Sequence, residues 1–125
     1  MIESIHSDHT LYAIHLNLVE SKQITVGKLG TFTFQKGTYI YVGSAKRNIT
    51  QRIERHVKIN KKHHWHFDYL RPFGTITRII TYDNSLRECE LAENIRKEKM
   101  AAIPINGFGS SDCKCKSHLL FIEEK

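Results

Sequence analysis

Residues 37–56 read GTYIYVGSAKRNITQRIERH, and this stretch decides the fold. Its first part, 38–42, is a run of β-branched and aromatic residues that stops at a glycine, which predicts a strand. Beyond it, Ile49, Ile53 and Val57 recur at i, i+4 and i+8, the spacing of the apolar face of a helix. The sequence therefore predicts a strand that leads directly into an amphipathic helix.

The same stretch carries polar side chains on defined faces. Tyr39 and Tyr41 are two residues apart, so a strand places both hydroxyls on one face. Arg52 and His56 are four apart, so a helix places both on one flank, beside its apolar residues. Tyrosines in a strand are more often packing residues than functional ones. The basic helix that follows them is what favours a functional site, with Gly43 allowing a tight turn between the two elements.

The elements on either side follow from hydrophobic periodicity and from glycine positions. In chain order they are a strand over 11–18, a hairpin over 24–34, a short helix or turn within 63–70, a strand over 75–82, a helix from Ser85 to about Lys99, and a strand over 118–122. We therefore predict one α+β domain over residues 1–125, with a central, mostly antiparallel sheet flanked by helices.

The positive charge of the chain is concentrated in one segment. The net charge is +6, and residues 46–62 alone hold seven Lys or Arg and one Glu. A basic patch of this kind suits a polyanionic partner such as nucleic acid. A solvated helix face is the alternative interpretation.

Composition also bears on the compartment. No apolar run approaches the ~20 residues that a membrane-spanning helix needs, so no membrane association is expected. Residues 1–10 are polar, so we expect no secretory signal and a cytoplasmic location. The three cysteines are an odd number, and we expect reduced thiols.

Two short motifs carry a resemblance to a known superfamily. Residues 41–45 (YVGSA), followed by Arg52 and His56, resemble the second half of the signature of GIY-YIG nucleases. Residues 10–12 (TLY) correspond to the first half, with Thr and Leu in place of Gly and Ile. The spacing between the motifs is longer than usual, and one extra residue precedes Arg52. The closest resemblance is to a small, uncharacterised branch found alone or fused to DNA-repair glycosylases, whose further motifs correspond to residues 64–69, 88–91 and 107–113.

The resemblance implies an endonuclease that hydrolyses DNA phosphodiester bonds with a divalent metal, for example in the processing of structured or damaged DNA. Tyr12 or Tyr41 would be the base. A free phenol has a pKa near ~10, so the base needs a neighbouring positive charge, which Arg52 would supply while contacting the phosphate. His56 would relay a proton or hold a tyrosine hydroxyl.

The metal ligand is expected to be a glutamate on the second long helix, where Glu88 and Glu90 compete. Leu91, Ala92 and Ile95 define an apolar arc with Glu88 at its centre. A carboxylate on that side is costly unless it is bonded or holds a metal. We therefore expect Glu88 to bind Mg²⁺ or Mn²⁺, with a capping box between Ser85 and Glu88 as the alternative.

Further residues are candidates for binding rather than catalysis. Trp65 would stack on a base or sit in the core, and Asp68 would orient one of the histidines at positions 63, 64 and 66. Cys113, Cys115 and His118 form an incomplete zinc set, and Asp112 is an alternative partner of His118. The expected contacts to nucleic acid are Ser44, Lys46, Arg47, Arg55, Lys58 and His66.

Two other functions remain open at this point. The basic segment 46–62 would suffice for a nucleic-acid-binding module without catalysis, and the cysteines for a zinc-stabilised interaction module. The partner would be DNA or RNA. Because no separate recognition domain is evident, specificity would come from substrate shape or from a protein partner.

Overall fold

The structure, a computed structural model, describes residues 5–110 and 116–123. Within these ranges the strands are β1 (Leu11–Leu18), β2 (Lys22–Val26), β3 (Gly30–Phe34), β4 (Gly37–Ser44), β5 (Thr75–Tyr82) and β6 (Leu119–Glu123). The helices are α1 (Ile49–Val57), α2 (His66–Leu70) and α3 (Glu88–Lys99). Short 3-10 turns cover Gly27–Leu29 and Arg71–Phe73.

The central sheet has four strands in the order β5-β1-β4-β6, and every neighbouring pair is antiparallel. The hairpin of β2 and β3 forms a separate two-stranded sheet. The predicted α+β class, with a mostly antiparallel sheet and flanking helices, is confirmed. None of the described helices is both long and apolar enough to cross a membrane.

Both faces of the sheet are covered, because side chains alternate along each strand. On one face, Tyr12, Ile14 and Tyr41 pack with Ile53 of α1 and Phe67 of α2. On the other face, residues of β1, β4 and β6 pack against α3; they are Leu11, Ala13, Ile40, Val42 and Leu120 on the strands and Leu91, Ala92 and Ile95 on the helix. The catalytic candidates of β1 and β4 thus lie under α1, while α3 approaches from behind the sheet.

The start of α3 differs from its prediction. The helix begins at Glu88, and the backbone N–H of Arg87 donates to Oε1 of Glu90 over 3.0 Å. Ser85 instead lies in a turn, where its N–H donates to Oδ1 of Asp83. The capping box between Ser85 and Glu88 is therefore wrong. Glu90 takes the capping position, and the Glu88 side chain is left for other contacts.

Candidate functional site

Tyr12 and Gly43 face each other across β1 and β4. A Cβ atom at Gly43 would lie 2.5 Å from Cζ of Tyr12, so only glycine leaves room for the ring to lie across the neighbouring strand. The predicted tight turn at Gly43 is wrong, because β4 continues to Ser44. The glycine is needed for a close side-chain approach, and it thereby fixes the position of the Tyr12 hydroxyl.

That hydroxyl contacts α1. Oη of Tyr12 lies 2.9 Å from Nε2 of His56, and the two side chains are almost completely buried. Burial lowers the pKa of His56 to about 3, against the raising effect of Asp68, so the imidazole is neutral at pH 7. Of the two predicted roles of His56, contact with a tyrosine hydroxyl is the one that this geometry provides.

The other ring nitrogen of His56 faces a carboxylate. Nδ1 lies 4.0 Å from Oδ1 of Asp68, and it has no hydrogen-bond partner within the described residues. A carboxylate on this side favours the tautomer with the proton on Nδ1. Nε2 then accepts the hydrogen bond from the Tyr12 hydroxyl. Tyr12, His56 and Asp68 thus form a row that leads from the sheet into the interior.

Tyr41 lies beside this row as a packed ring. It stacks on Phe67 with a centroid distance of 4.9 Å and an interplanar angle of 11°. Its ring centroid is 6.5 Å from that of Tyr12. Burial raises the pKa of the Tyr41 phenol far above its ordinary value. Its surroundings are those of a core residue, so Tyr12 is the better placed of the two tyrosines for proton transfer.

Arg52 lies at the open end of this arrangement. Its guanidinium donates to the carbonyl oxygen of Ser44 over 3.0 Å and lies 4.9 Å from the centre of the Trp65 ring. Burial raises the pKa of Tyr12 to about 12, although the charge and hydrogen bond of Arg52 act to lower it. The expected net lowering of the tyrosine pKa by Arg52 is therefore wrong, since burial outweighs the charge.

Glu88 reaches the same end of β4 from behind the sheet. Oε1 accepts a short hydrogen bond from the Ser44 hydroxyl, and Oε2 lies 3.1 Å from Nδ1 of His118. Burial would raise the pKa of Glu88, but His118, Ser44 and Arg52 together lower it. The carboxylate is ionised at neutral pH and its side chain is 32% exposed. Glu90 is exposed and caps α3, so Glu88 is the glutamate that joins the cluster.

Several predicted binding residues have structural partners. Arg55 lies 3.2 Å from the fully buried Asp68 and also donates to the carbonyl of Lys62. Nδ1 of His66 accepts the backbone N–H of Gly109 over 2.8 Å, which ties α2 to the loop before β6. Ser44 is engaged by Arg52 and Glu88. The remaining predicted contacts, Lys46, Arg47 and Lys58, are exposed around α1.

Two residues have roles that sequence reasoning missed. Asp68 accepts the backbone N–H groups of His64 and Trp65 over 2.7 and 2.8 Å, and Lys61 Nζ lies 3.2 Å away. It therefore holds the loop before α2, besides facing His56. His118 was considered as a zinc ligand, but it lies against Glu88. Trp65 and Asp68 are three residues apart, which is the spacing of a capping interaction and was the available signal for Asp68. Glu88 and His118 are 30 residues apart, and no spacing rule links them.

The zinc hypothesis finds little support among the described residues. Cys113, Cys115 and Asp112 lie outside them. Cys89 is disulfide-bonded, which contradicts the expectation of a reduced thiol there. Nε2 of His118 lies 3.5 Å from its sulfur.

The end of β1 and β4 thus gathers a buried phenol, a neutral imidazole, a guanidinium and an ionised carboxylate. That is a set suited to proton transfer beside a bound anion or cation. The chain belongs to the family described as Domain of unknown function DUF123, which matches residues 11–125. No curated protein matches the chain, and no solved structure matches it.

Proposed function

We propose that this protein is a metal-dependent endonuclease that hydrolyses DNA phosphodiester bonds in the manner of the GIY-YIG superfamily. The observation that carries the proposal is the meeting of Tyr12, Arg52, His56 and Glu88 at one end of the sheet. These four side chains come from β1, α1 and α3, and two of them lie more than 30 residues from the others in sequence. Packing of a core does not by itself require an ionised glutamate and an arginine at this point.

Glu88 would hold the Mg²⁺ or Mn²⁺ ion. Its carboxylate is ionised and partly exposed, and the Ser44 hydroxyl beside it is a second hard oxygen ligand. Each carboxylate oxygen has two lone pairs, so the contacts with Ser44 and His118 leave acceptor positions for a metal. A bound ion would supply positive charge to a phosphoryl oxygen.

Proton transfer would run along the row of Tyr12 and His56. With a pKa of about 12, Tyr12 is not a phenolate at rest. It would take a proton from the attacking water while passing its own proton to Nε2 of His56, over the 2.9 Å contact. The imidazolium so formed would face the Asp68 carboxylate, which stabilises it.

The substrate phosphate would bind at Arg52, because a guanidinium offers a fork of donors to phosphate oxygens. The Arg52–Trp65 pair would also offer a flat surface on which an unpaired base could stack. Exposed Lys46, Arg47 and Lys58 would contact the flanking backbone. Discrimination between substrates would rest on the contacts close to the site. The structure of the DNA or a protein partner would therefore supply the remaining specificity, and the reaction would take place in the cytoplasm.

The test compares Glu88→Gln with Glu90→Gln on labelled linear and branched DNA, with Mg²⁺, Mn²⁺ or EDTA. We expect the wild type and Glu90→Gln to cut in the presence of metal. Glu88→Gln should cut about 100-fold more slowly or worse, while binding DNA as before. Glu90→Gln is the matched control, since it changes the same helix turn outside the cluster.

A second candidate function is a nucleic-acid-binding module without catalysis. It is favoured by the burial of the rings, since Tyr12 is 1% and Tyr41 4% exposed. If the wild type binds DNA but never cuts it under any metal, and Glu88→Gln behaves identically, this second function replaces the first. Salt dependence of binding would then report how many phosphates the basic surface contacts.

A further inference from the structure

A second cluster of potential metal ligands precedes β1. One ligand atom each from His6, Asp8 and His9 lies within 4.8 Å of the others. His6 and Asp8 are exposed and His9 is half-buried, so solvent reaches the cluster. None of the three belongs to the Tyr12–Glu88 site. We propose that His6, Asp8 and His9 form a binding site for a borderline transition-metal ion of the Zn²⁺ type.

The backbone holds these three residues in a closed turn. The N–H of His9 donates to the carbonyl of His6 over 3.0 Å, and the N–H of Thr10 donates to Tyr82 over 3.1 Å. The N–H of His6 donates to Oγ1 of Thr81 over 2.9 Å. Both ends of the turn are thus hydrogen-bonded to the last residues of β5. A site that is already ordered loses less entropy on binding than a flexible tail would.

The His9 ring also has the support that metal-bound imidazoles use. Nδ1 of His9 lies 2.8 Å from Oγ1 of Thr81. With the proton on Nδ1, the ring donates to Thr81, and Nε2 keeps a free lone pair for a metal. A hydrogen bond of this kind at the second nitrogen fixes the tautomer and the orientation of a ligating histidine. The His6 ring packs against it with a centroid distance of 4.6 Å.

The donor set indicates which ion would bind. Two imidazoles and one carboxylate suit Zn²⁺ and related transition ions, whereas Mg²⁺ prefers oxygen ligands alone. In a tetrahedral zinc site, neighbouring ligand atoms are about 3.3 Å apart. The three ligand atoms, now within 4.8 Å of one another, must therefore move closer, and the exposed side chains of His6 and Asp8 can rotate toward His9. A surface cavity of about 350 Å³ lies beside His9, with Asp83 in its lining, and leaves room for a water or an exogenous fourth ligand.

Calorimetric titration of the full chain with Zn²⁺, after EDTA treatment and dialysis, tests the site. We expect one strong Zn²⁺ site and no comparable heat from Mg²⁺. His6→Ala and Asp8→Asn should each weaken Zn²⁺ binding by at least about tenfold, since losing a ligand costs more than losing a supporting residue. Both residues are exposed, so the fold should persist, and circular dichroism checks this. His63→Ala, which removes another exposed histidine, is the matched control and should bind as the wild type does.

Thermal unfolding gives a second readout. Zn²⁺ should raise the melting temperature of the wild type but not that of His6→Ala or Asp8→Asn, because a ligand stabilises only the state that binds it. The proposal is overturned if the wild type binds no Zn²⁺ or if these two variants bind it normally. A further variant, Cys115→Ser, should keep Zn²⁺ binding, and loss of binding in that variant alone would also overturn the proposal. Neither readout involves DNA cutting, so the result is independent of the proposed nuclease.

Discussion

Oη of Tyr12 lies 2.9 Å from Nε2 of His56 inside the core. This contact links β1 to α1 through two residues that are 44 positions apart in sequence. The contact joins the packing of the fold to the proposed proton transfer. It also makes the two functions of the tyrosine separable, because its ring fills space while its hydroxyl carries the chemistry.

Tyr12→Phe removes the hydroxyl and keeps the ring. We expect the free energy of unfolding to fall by about 1–3 kcal/mol, because Nε2 of His56 loses its buried partner. DNA cutting should be abolished. Tyr39→Phe is the matched control: it removes another tyrosine hydrogen bond, to the carbonyl of Gln35, away from the site. Denaturant unfolding and the cutting assay check both variants. Full activity in Tyr12→Phe would contradict the proton-transfer role.

Gly43→Ala tests the close approach of the Tyr12 ring. The new methyl group would lie 2.5 Å from Cζ of Tyr12, so the ring or the strand must shift. We expect a loss of about 1–3 kcal/mol of stability, the usual cost of overpacking.

A double-mutant cycle isolates this clash. In the Tyr12→Ala background the ring is absent, so the added methyl group should cost much less. Equal costs in the two backgrounds would show that Gly43 is not needed for the Tyr12 ring.

Asp68→Asn tests the buried carboxylate. Asp68 is fully buried and accepts from two backbone N–H groups and from Lys61. Removing the charge deprives Lys61 of its carboxylate partner and places amide hydrogens against other donors. We expect a loss of about 3–5 kcal/mol, as for other broken buried ion pairs. Asp83→Asn alters an exposed carboxylate and should unfold as the wild type does. A small effect in Asp68→Asn would contradict the anchoring role.

Two buried histidines predict that stability falls in mild acid. Burial lowers the pKa of His56 to about 3, and burial with the charges of Lys99 and Arg78 lowers that of His15 to about 4. Below the ordinary histidine pKa of about 6.5, the unfolded chain takes up protons that the native state does not. Each histidine should therefore cost up to about 1.4 kcal/mol per pH unit as the pH falls from 6.5 toward 4.

The measurement is denaturant unfolding between pH 7.5 and 5, where acidic groups with lowered pKa values remain ionised. His15→Gln should reduce the slope by the contribution of one histidine. His63→Gln, at an exposed position, should leave the slope unchanged. A stability that is flat over this range would show that the native state binds these protons after all.

Most of the fold could be predicted from local patterns. The repeat of Ile49 and Ile53 predicts α1, and alternation around Gly27–Gly30 predicts the β2–β3 hairpin, because both signals lie within one element. The start of α3 could not be predicted in this way. Ser85 and Glu88 have capping spacing, yet the Ser85 N–H is taken by Asp83, and the cap forms two residues later, between Arg87 and Glu90.

The candidate site was predictable in its members but not in its electrostatics. The resemblance to GIY-YIG nucleases and the helix periodicity indicated Tyr12, Arg52, His56 and Glu88. Whether Arg52 lowers the pKa of a tyrosine depends on how deeply that tyrosine is buried, and burial is set by neighbours distant in sequence. The contact of His118 with Glu88 bridges 30 residues of chain and has no local signature.

The sequence by itself determined the elements, because strand alternation, helix periodicity and glycine positions act between near neighbours. It also determined the concentration of positive charge in residues 46–62. Only the tertiary structure decided which side chains hold Glu88 and why Gly43 must lack a side chain. It also decided that burial of Tyr12 outweighs the charge of Arg52 in setting the pKa of the phenol. These outcomes depend on the register of β1 against β4 and on desolvation in the finished core, and neither property resides in any single segment.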